Sequence, residues 1–244
     1  MLPKVSIITT TKNEEKHIPD FLKCIRGVFY PNLEVIIVDA VSTDRTLQLI
    51  EEHKGNLDIK ILCEPDEGIY FGMNKGIAMA TGDFILHLGA DDRLTNAFVF
   101  TSIFKDQSLA DCDIIYGKYQ YVHNPYRTCG RQKTFEDLLT NCLCHQSILF
   151  KRSLFDKVGK YNTRFPAMAD QALLIKCFRS GLVNIRFVDV IICSYRLGGF
   201  SSIVADTEFD YYRKRMILKY FGTKTWLKFL LAQRLHKITS FLKI

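Results

Sequence analysis

Residues 84–92 read FILHLGADD, an apolar run that stops on two adjacent carboxylates, Asp91 and Asp92. Adjacent carboxylates offer hard oxygen ligands. Mg²⁺ and Mn²⁺ take such ligands and fill their remaining positions with water and substrate phosphate. A nucleoside diphosphate would complete that shell, and the cation would screen charge growing on a leaving diphosphate. Asp39 and Asp66 also stand just past apolar runs, in LEVIIVD and IKILCEPD. An ionised carboxylate only accepts hydrogen bonds, so Asp39 suits the donors of a base or ribose. Any one of these acids alone reads as a turn or cap residue. Four at equivalent places ask for a common frame.

The frame is an alternation. Short apolar runs at 5–9, 33–38, 59–62 and 84–88 read as strands, with helical spacing between them and after them. Near-continuous apolar strands separated by helices predict a mostly parallel sheet with right-handed crossovers. Ligands of such sheets bind at the carboxyl ends of the strands, where all four acids fall. TTTKNEE follows the first strand, with neither GxGxxG nor GxxxxGK[ST], so the dinucleotide fingerprint and the P-loop are excluded. Beyond residue 110 the pattern loosens. Strands are expected at 113–116, 119–122, 147–150, 184–188 and 191–195, and a polar basic loop at 127–133. A helix should open at Asp170, a flexible link cover Leu197–Ser202, and two helices run over about 206–221 and 223–242.

IITTTKNEEKHI, VIIVDAVSTDRT and CEPDEGIYFGMNKGIAMATGDFILHLGADD, continued by CHQSILFKRSLFDKVGKYNTRF, ADQALLIK and YRLGGFSS, resemble family 2 glycosyltransferases of the GT-A fold. The likeness is greatest to bacterial enzymes that build exopolysaccharide, capsule or lipopolysaccharide, and it covers roughly residues 4–203. It implies an inverting transferase that moves a sugar from a nucleotide-diphospho-sugar, a UDP-sugar by expectation, to a glycan or lipid-linked acceptor with Mg²⁺ or Mn²⁺. Carried onto this chain, it places Thr9, Thr11 and Glu14 around the nucleotide, Asp39 at the base, and Asp66 near base and ribose. Asp92 becomes the metal ligand and Asp91 a ribose or donor-sugar contact. His145 and Gln146 lie near donor and acceptor sugars, and Asp170 is the general base. It divides the chain into a GT-A domain over 1–205 and a basic helical extension over 206–244. Within the domain, 1–110 is the donor half and 111–205 the acceptor half. The chain departs from the family pattern at Ala40-Val41, Phe71, Ala90 and Gln171.

The formal charge of +7 is local: nine Lys and Arg and no acid lie between Tyr211 and Ile244, so the rest carries −2. A charge confined to a tail disfavours a nucleic-acid binder. Residues 224–243 set Trp226, Phe229, Leu230, Leu235, Ile238, Phe241 and Leu242 among Lys228, Arg234, Lys237 and Lys243. Such a helix either lies on an anionic membrane surface or packs on protein, its own domain or a second copy. The eight cysteines are scattered and read as reduced structural thiols; Cys142, Cys144 and His145 lack zinc-site spacing. MLPKVSIITT is too strand-like for a signal peptide, and no apolar stretch is long enough to span a bilayer. A cytoplasmic protein is therefore expected, peripheral on the inner face of the cytoplasmic membrane if the tail helix takes the first of its two roles. Two rival readings are a non-catalytic nucleotide-sugar binder of the same fold and a sugar nucleotidyltransferase. The second would need a glycine-rich basic loop after the first strand, which TTTKNEE does not supply.

Overall fold

The computed structural model describes residues 2–196, 198 and 204–241, with residues 140, 232 and 234–241 as backbone only. Four strands, β1 (Val5–Thr11), β2 (Leu33–Asp39), β3 (Ile59–Cys63) and β4 (Phe84–His87), pair in parallel in the order β3-β2-β1-β4. Helices α1 (Ile18–Arg26), α2 (Thr46–His53) and α3 (Ile69–Met79) make the crossovers. The strands are apolar on both sides because both faces are covered. Ile8, Ile36 and Val38 face a cluster containing Met73 and Ile77 of α3, while Ile7, Val35 and Ile37 face Phe21, Leu22 and Ile25 of α1. Helix α3 lies very close to β1: a methyl group at Gly76 would sit 2.4 Å from Ile8 Cγ2.

The chain then passes β5 (Arg93–Leu94), α4 (Val99–Phe104), β6 (Ile114–Tyr121), β7 (Asn124–Cys129), α5 (Phe135–Thr140) and β8 (Ile148–Lys151). It continues through α6 (Leu154–Val158), α7 (Ala169–Ser180), β9 (Ile185–Tyr195) and α8 (Thr207–Phe241). These strands extend the same sheet in the order β3-β2-β1-β4-β8-β6-β9-β5, with β7 beside β6. Strand β8 is antiparallel to both β4 and β6, whereas β9 runs parallel to β6. The result is one α/β domain of GT-A type, its sheet parallel at one side and mixed at the other.

Several second-half boundaries differ from expectation. Tyr119–Tyr121 is no separate strand but the end of β6, and the strand beside it is β7, which takes the start of the presumed 127–133 loop. The expected strands 184–188 and 191–195 are one strand, β9, with register shifts against β6 absorbed near Gly117. Helix α5 was not anticipated, although Thr134 and Asp137 form a capping box at its start. The first helix begins at Ile18 rather than Asn13, because Asn13 sits at φ 57° and its side chain accepts from Thr43 N at 2.9 Å.

The chain turns sharply at Ala40-Val41, one of its departures from the family pattern. Val41 holds φ 56°, a left-handed conformation that a β-branched residue adopts only under strain. The C-terminal helices meet at Gly222, where φ is 73°. Phe209, Met216, Ile217 and Phe229 are buried in the domain core, with Trp226 and Leu230 packed against it, while Leu227 and Leu231 remain 53 % and 59 % exposed. The link at Leu197 and Gly199–Ser202, and the tail side chains of Leu235, Ile238, Phe241 and Leu242, lie outside the described residues.

At the amino ends of the parallel strands, buried Glu34 ties four segments together. It accepts from Ser6 Oγ (2.6 Å), Lys4 Nζ (3.0 Å), Lys60 Nζ (2.9 Å) and Thr81 N (2.7 Å). Burial alone would raise its pKa, but these donors outweigh burial and hold it well below the usual carboxylate range. Glu34→Gln is expected to lower stability at pH 7 by about 1–3 kcal/mol. A depressed native pKa contributes stability above the unfolded value, so the gap between wild type and variant should close as the pH falls below about 4. Denaturant titrations at pH 7 and pH 3 check both statements.

Candidate active site

Parallel strands β1 and β4 end side by side, and a cavity of about 200 Å³ opens beyond them. Its wall includes Ile8, Thr10, Glu14, Tyr70, Asp91, Asp92, His145, Gln146, Tyr195 and Arg196. Glu14, Asp91, Asp92, His145 and Gln146, named from the sequence, are thus brought to one place. Thr9 and Thr11 are not on the wall. The pleat turns both away, Thr9 Oγ1 donating to Leu88 O (2.9 Å) and Thr11 Oγ1 to Asp39 Oδ2 (2.7 Å), and presents Thr10 instead. Asp39 is buried, its oxygens accepting from Thr11 Oγ1, Ser42 N (2.7 Å) and Ser42 Oγ (2.6 Å). Asp66 is half-buried and accepts from Gly68 N at 3.1 Å, fixing the turn into α3.

The two aspartates at the end of β4 are crowded together. A methyl group at Gly89 would lie 2.9 Å from Asp91 Oδ1 and 2.8 Å from Asp92 Oδ2. Asp92 is 1 % exposed. Its Oδ1 accepts from Arg196 N at 2.9 Å, and Gln146 donates to the same carboxylate. Burial first, and the charge of Asp91 second, push Asp92 up to about 7 despite these bonds. The nearest basic side chain in sequence turns away: Arg93 Nη1 donates to Ala90 O (2.9 Å) and Asp92 O (2.7 Å). Among the described residues no group of three His, Cys, Asp or Glu could cage a metal. Two converging carboxylates and an amide suit a hard divalent cation that draws further ligands from a bound diphosphate.

Asp170 stands in the first turn of α7, 8 % exposed and just behind the wall. Tyr70 Oη donates to its Oδ1 at 2.6 Å, and His145 Nδ1 lies 3.5 Å from its Oδ2. Burial pushes the Tyr70 phenol far up, so it stays a donor. Burial also lowers His145, with Asp170 acting against it, so the contact joins a carboxylate to a neutral imidazole. Buried Asp206 fixes the start of α7 by accepting from Ala167 N and Met168 N, each at 3.1 Å, and from Phe209 N at the head of α8. Tyr70, Thr10, Tyr195, Arg196 and Asp206 escaped sequence reasoning. Of these, Tyr70, Thr10, Tyr195 and Arg196 lie in the strings GIYFGMNKG, IITTTKNEEKHI and YRLGGFSS, which could have flagged them.

Arg131, in the basic loop, pairs with Asp137 as a surface residue. Cys144 donates its thiol to Gln146 Oε1 at 3.2 Å. A roomier groove of about 690 Å³ borders α8, but it contains none of the strand-end acids, and its Arg164 and Glu208 pair with each other.

The strand-end carboxylate pair thus shares one cavity with Tyr70 and His145, the two contacts of buried Asp170. The family description "Glycosyl transferase family 2" matches residues 6–166, and this chain belongs to that family. It is a glycosyltransferase. It is 32 % identical over 211 residues to a "PGL/p-HBAD biosynthesis glycosyltransferase" of Mycobacterium bovis, covering 85 % of this chain and 82 % of that one. A 93-residue stretch is 34 % identical to the poly(ribitol-phosphate) beta-N-acetylglucosaminyltransferase TarS of Staphylococcus aureus, covering 36 % of this chain and 16 % of that one. The fold matches S. aureus TarS in complex with UDP-GlcNAc at TM-score 0.73 and 22 % identity, over 88 % of this chain and 65 % of that one. It also matches a mannosyltransferase from Pyrobaculum calidifontis in complex with GDP-Man and Mn²⁺ at TM-score 0.62 and 21 % identity, over 88 % and 61 %.

Keeping Asp92 ionised in its pocket costs stability. The native pKa lies above the unfolded value of about 3.9, so the penalty begins near pH 4 and is complete above about pH 7. Asp92→Asn should therefore be more heat-stable than wild type at pH 8, by on the order of 2–4 kcal/mol, without divalent cation. The gain should vanish towards pH 4. Thermal denaturation of both proteins across pH 4–8, in chelator, measures it.

Proposed function

We propose that the donor is a UDP-sugar and that residues 1–110 hold it, with residues 111–205 supplying the acceptor side. The observation that carries this reading is the convergence of Asp91 and Asp92 on one cavity with Tyr70 and His145, the two contacts of Asp170. Asp92 holds Mg²⁺ or Mn²⁺, with Asp91 supporting it or meeting the donor ribose or sugar. When bound, that cation neutralises charge on the departing diphosphate. Glu14, Asp39 and Asp66 border the nucleotide. His145 and Gln146 sit between the sugars.

The transfer balances as a single displacement. The acceptor hydroxyl gives its proton to Asp170, its oxygen bonds to the anomeric carbon, and the bond from that carbon to the diphosphate oxygen breaks with its electron pair. Asp170 Oδ1 is engaged by Tyr70, which leaves Oδ2, beside the neutral His145, to take the proton. Tyr70 thus orients the carboxylate. The acceptor is a glycan or a lipid-linked glycan. Leu227 and Leu231, exposed on the helix that carries Lys224 and Lys228, support contact with an anionic membrane surface. Vesicle co-sedimentation decides that contact: no binding to anionic vesicles sinks it. Light scattering decides self-association in the same way, a monomer mass excluding it.

Isothermal calorimetry should show UDP binding that Mn²⁺ strengthens, and Asp92→Asn should remove the metal dependence. Failure of every nucleoside diphosphate to bind in the presence of metal would overturn the reading. Asp170→Asn should keep UDP affinity and lose transfer by about 10²–10⁴-fold. Turnover retained in that variant would exclude Asp170 as the base.

A further inference from the structure

Tyr195 lines the cavity beside Asp92, and its ring begins a row of aromatic side chains leading away from the site. Strands β6 and β9 are parallel, and Tyr121 faces Tyr195 in register. Tyr119 and Tyr121, two residues apart, share a side of β6. The ring centroids lie 6.4 Å apart for Tyr119–Tyr195, 6.3 Å for Tyr121–Tyr195 and 5.8 Å for Tyr119–Tyr121, and His123 continues the row 5.4 Å from Tyr121. All three tyrosines are half-buried, not sealed in the core. The Arg127 guanidinium, reaching from β7, stands 5.5 Å over the Tyr121 ring. The mechanism above uses none of these residues.

A wall of tyrosine rings with an arginine at its outer end matches one ligand chemistry closely. One face of a pyranose is a flat array of C–H bonds with slight positive charge, while an aromatic face is slightly negative. Around the rim, the sugar's hydroxyls need donors and acceptors, which the phenols and the guanidinium offer. We propose that the Tyr195–Tyr121–Tyr119 row is the acceptor subsite, where a pyranose ring of the acceptor stacks with its hydroxyl directed into the Asp92 cavity. This rests on the glycosyltransferase reading and extends it to the residues that choose the acceptor.

The test uses the full chain loaded with UDP and Mn²⁺. A panel of octyl hexosides and octyl N-acetylhexosaminides is screened by saturation-transfer-difference NMR, and the best binder is titrated. Tyr121→Ala should weaken that glycoside about tenfold and leave UDP affinity unchanged. Tyr121→Phe, which keeps the ring, should stay within about threefold of wild type, and its thermal midpoint controls for folding. Equal glycoside affinity in wild type and Tyr121→Ala overturns the proposal. So does equal loss in the Phe and Ala variants, or no glycoside binding by UDP-loaded wild type. Absence of UDP binding itself would instead overturn the parent reading.

Discussion

Two carboxylates are held together, one of them out of water, at the end of a buried strand, and among the described residues no ion pair to a basic side chain is found for either. Most features of the site follow from that constraint. Residue 89 has no room for a side chain because both acids converge on it. Arg93 spends its guanidinium on backbone carbonyls rather than on the pair. Gln146 and the Arg196 amide provide neutral donors, which steady Asp92 without cancelling its charge. A lysine in their place would satisfy the fold more cheaply and would occupy the position that a divalent cation needs.

The second acid comes from the other half of the chain and is placed by different means. Asp170 rides on α7, whose start is pinned by Asp206 from the entrance to α8. Tyr70 reaches across from α3 to hold one of its oxygens, a hydrogen bond that ties α3 to α7 across 100 residues of sequence. The C-terminal helix therefore acts on the site at a distance. Phe209, Met216 and Ile217 dock it on the core, and Asp206 ties that docking to the segment just before Asp170.

The parallel half was legible because its signals are local. Apolar runs buried on both sides, and acids just past their ends, follow from strand period and sheet topology alone. The mixed half was less so. Whether 184–195 is one strand or two depends on how β9 bends around Gly117, where a methyl group would lie 2.5 Å from Val190 O. Helix α5 is short, and its capping box was the only local mark of it. Thr9, Thr10 and Thr11 show how strand parity matters. The strand was placed correctly, but a one-residue choice of parity sent Thr10, not its neighbours, to the cavity.

The sequence by itself determined the fold class, the rim of strand-end acids and the family, because each rests on residue types at short, fixed spacings. Only the tertiary structure decided which of those acids meet. Asp91, Asp92, Glu14, His145 and Gln146 share one cavity, Asp39 is enclosed by Thr11 and Ser42, and Asp170 stands behind Tyr70 and His145. The reason is physical: burial, pKa and hydrogen-bond partners are set by side chains up to a hundred residues away. FILHLGADD carries no mark of the Arg196 amide or of Gln146, yet these and the shared crowding at Gly89 give Asp92 its character.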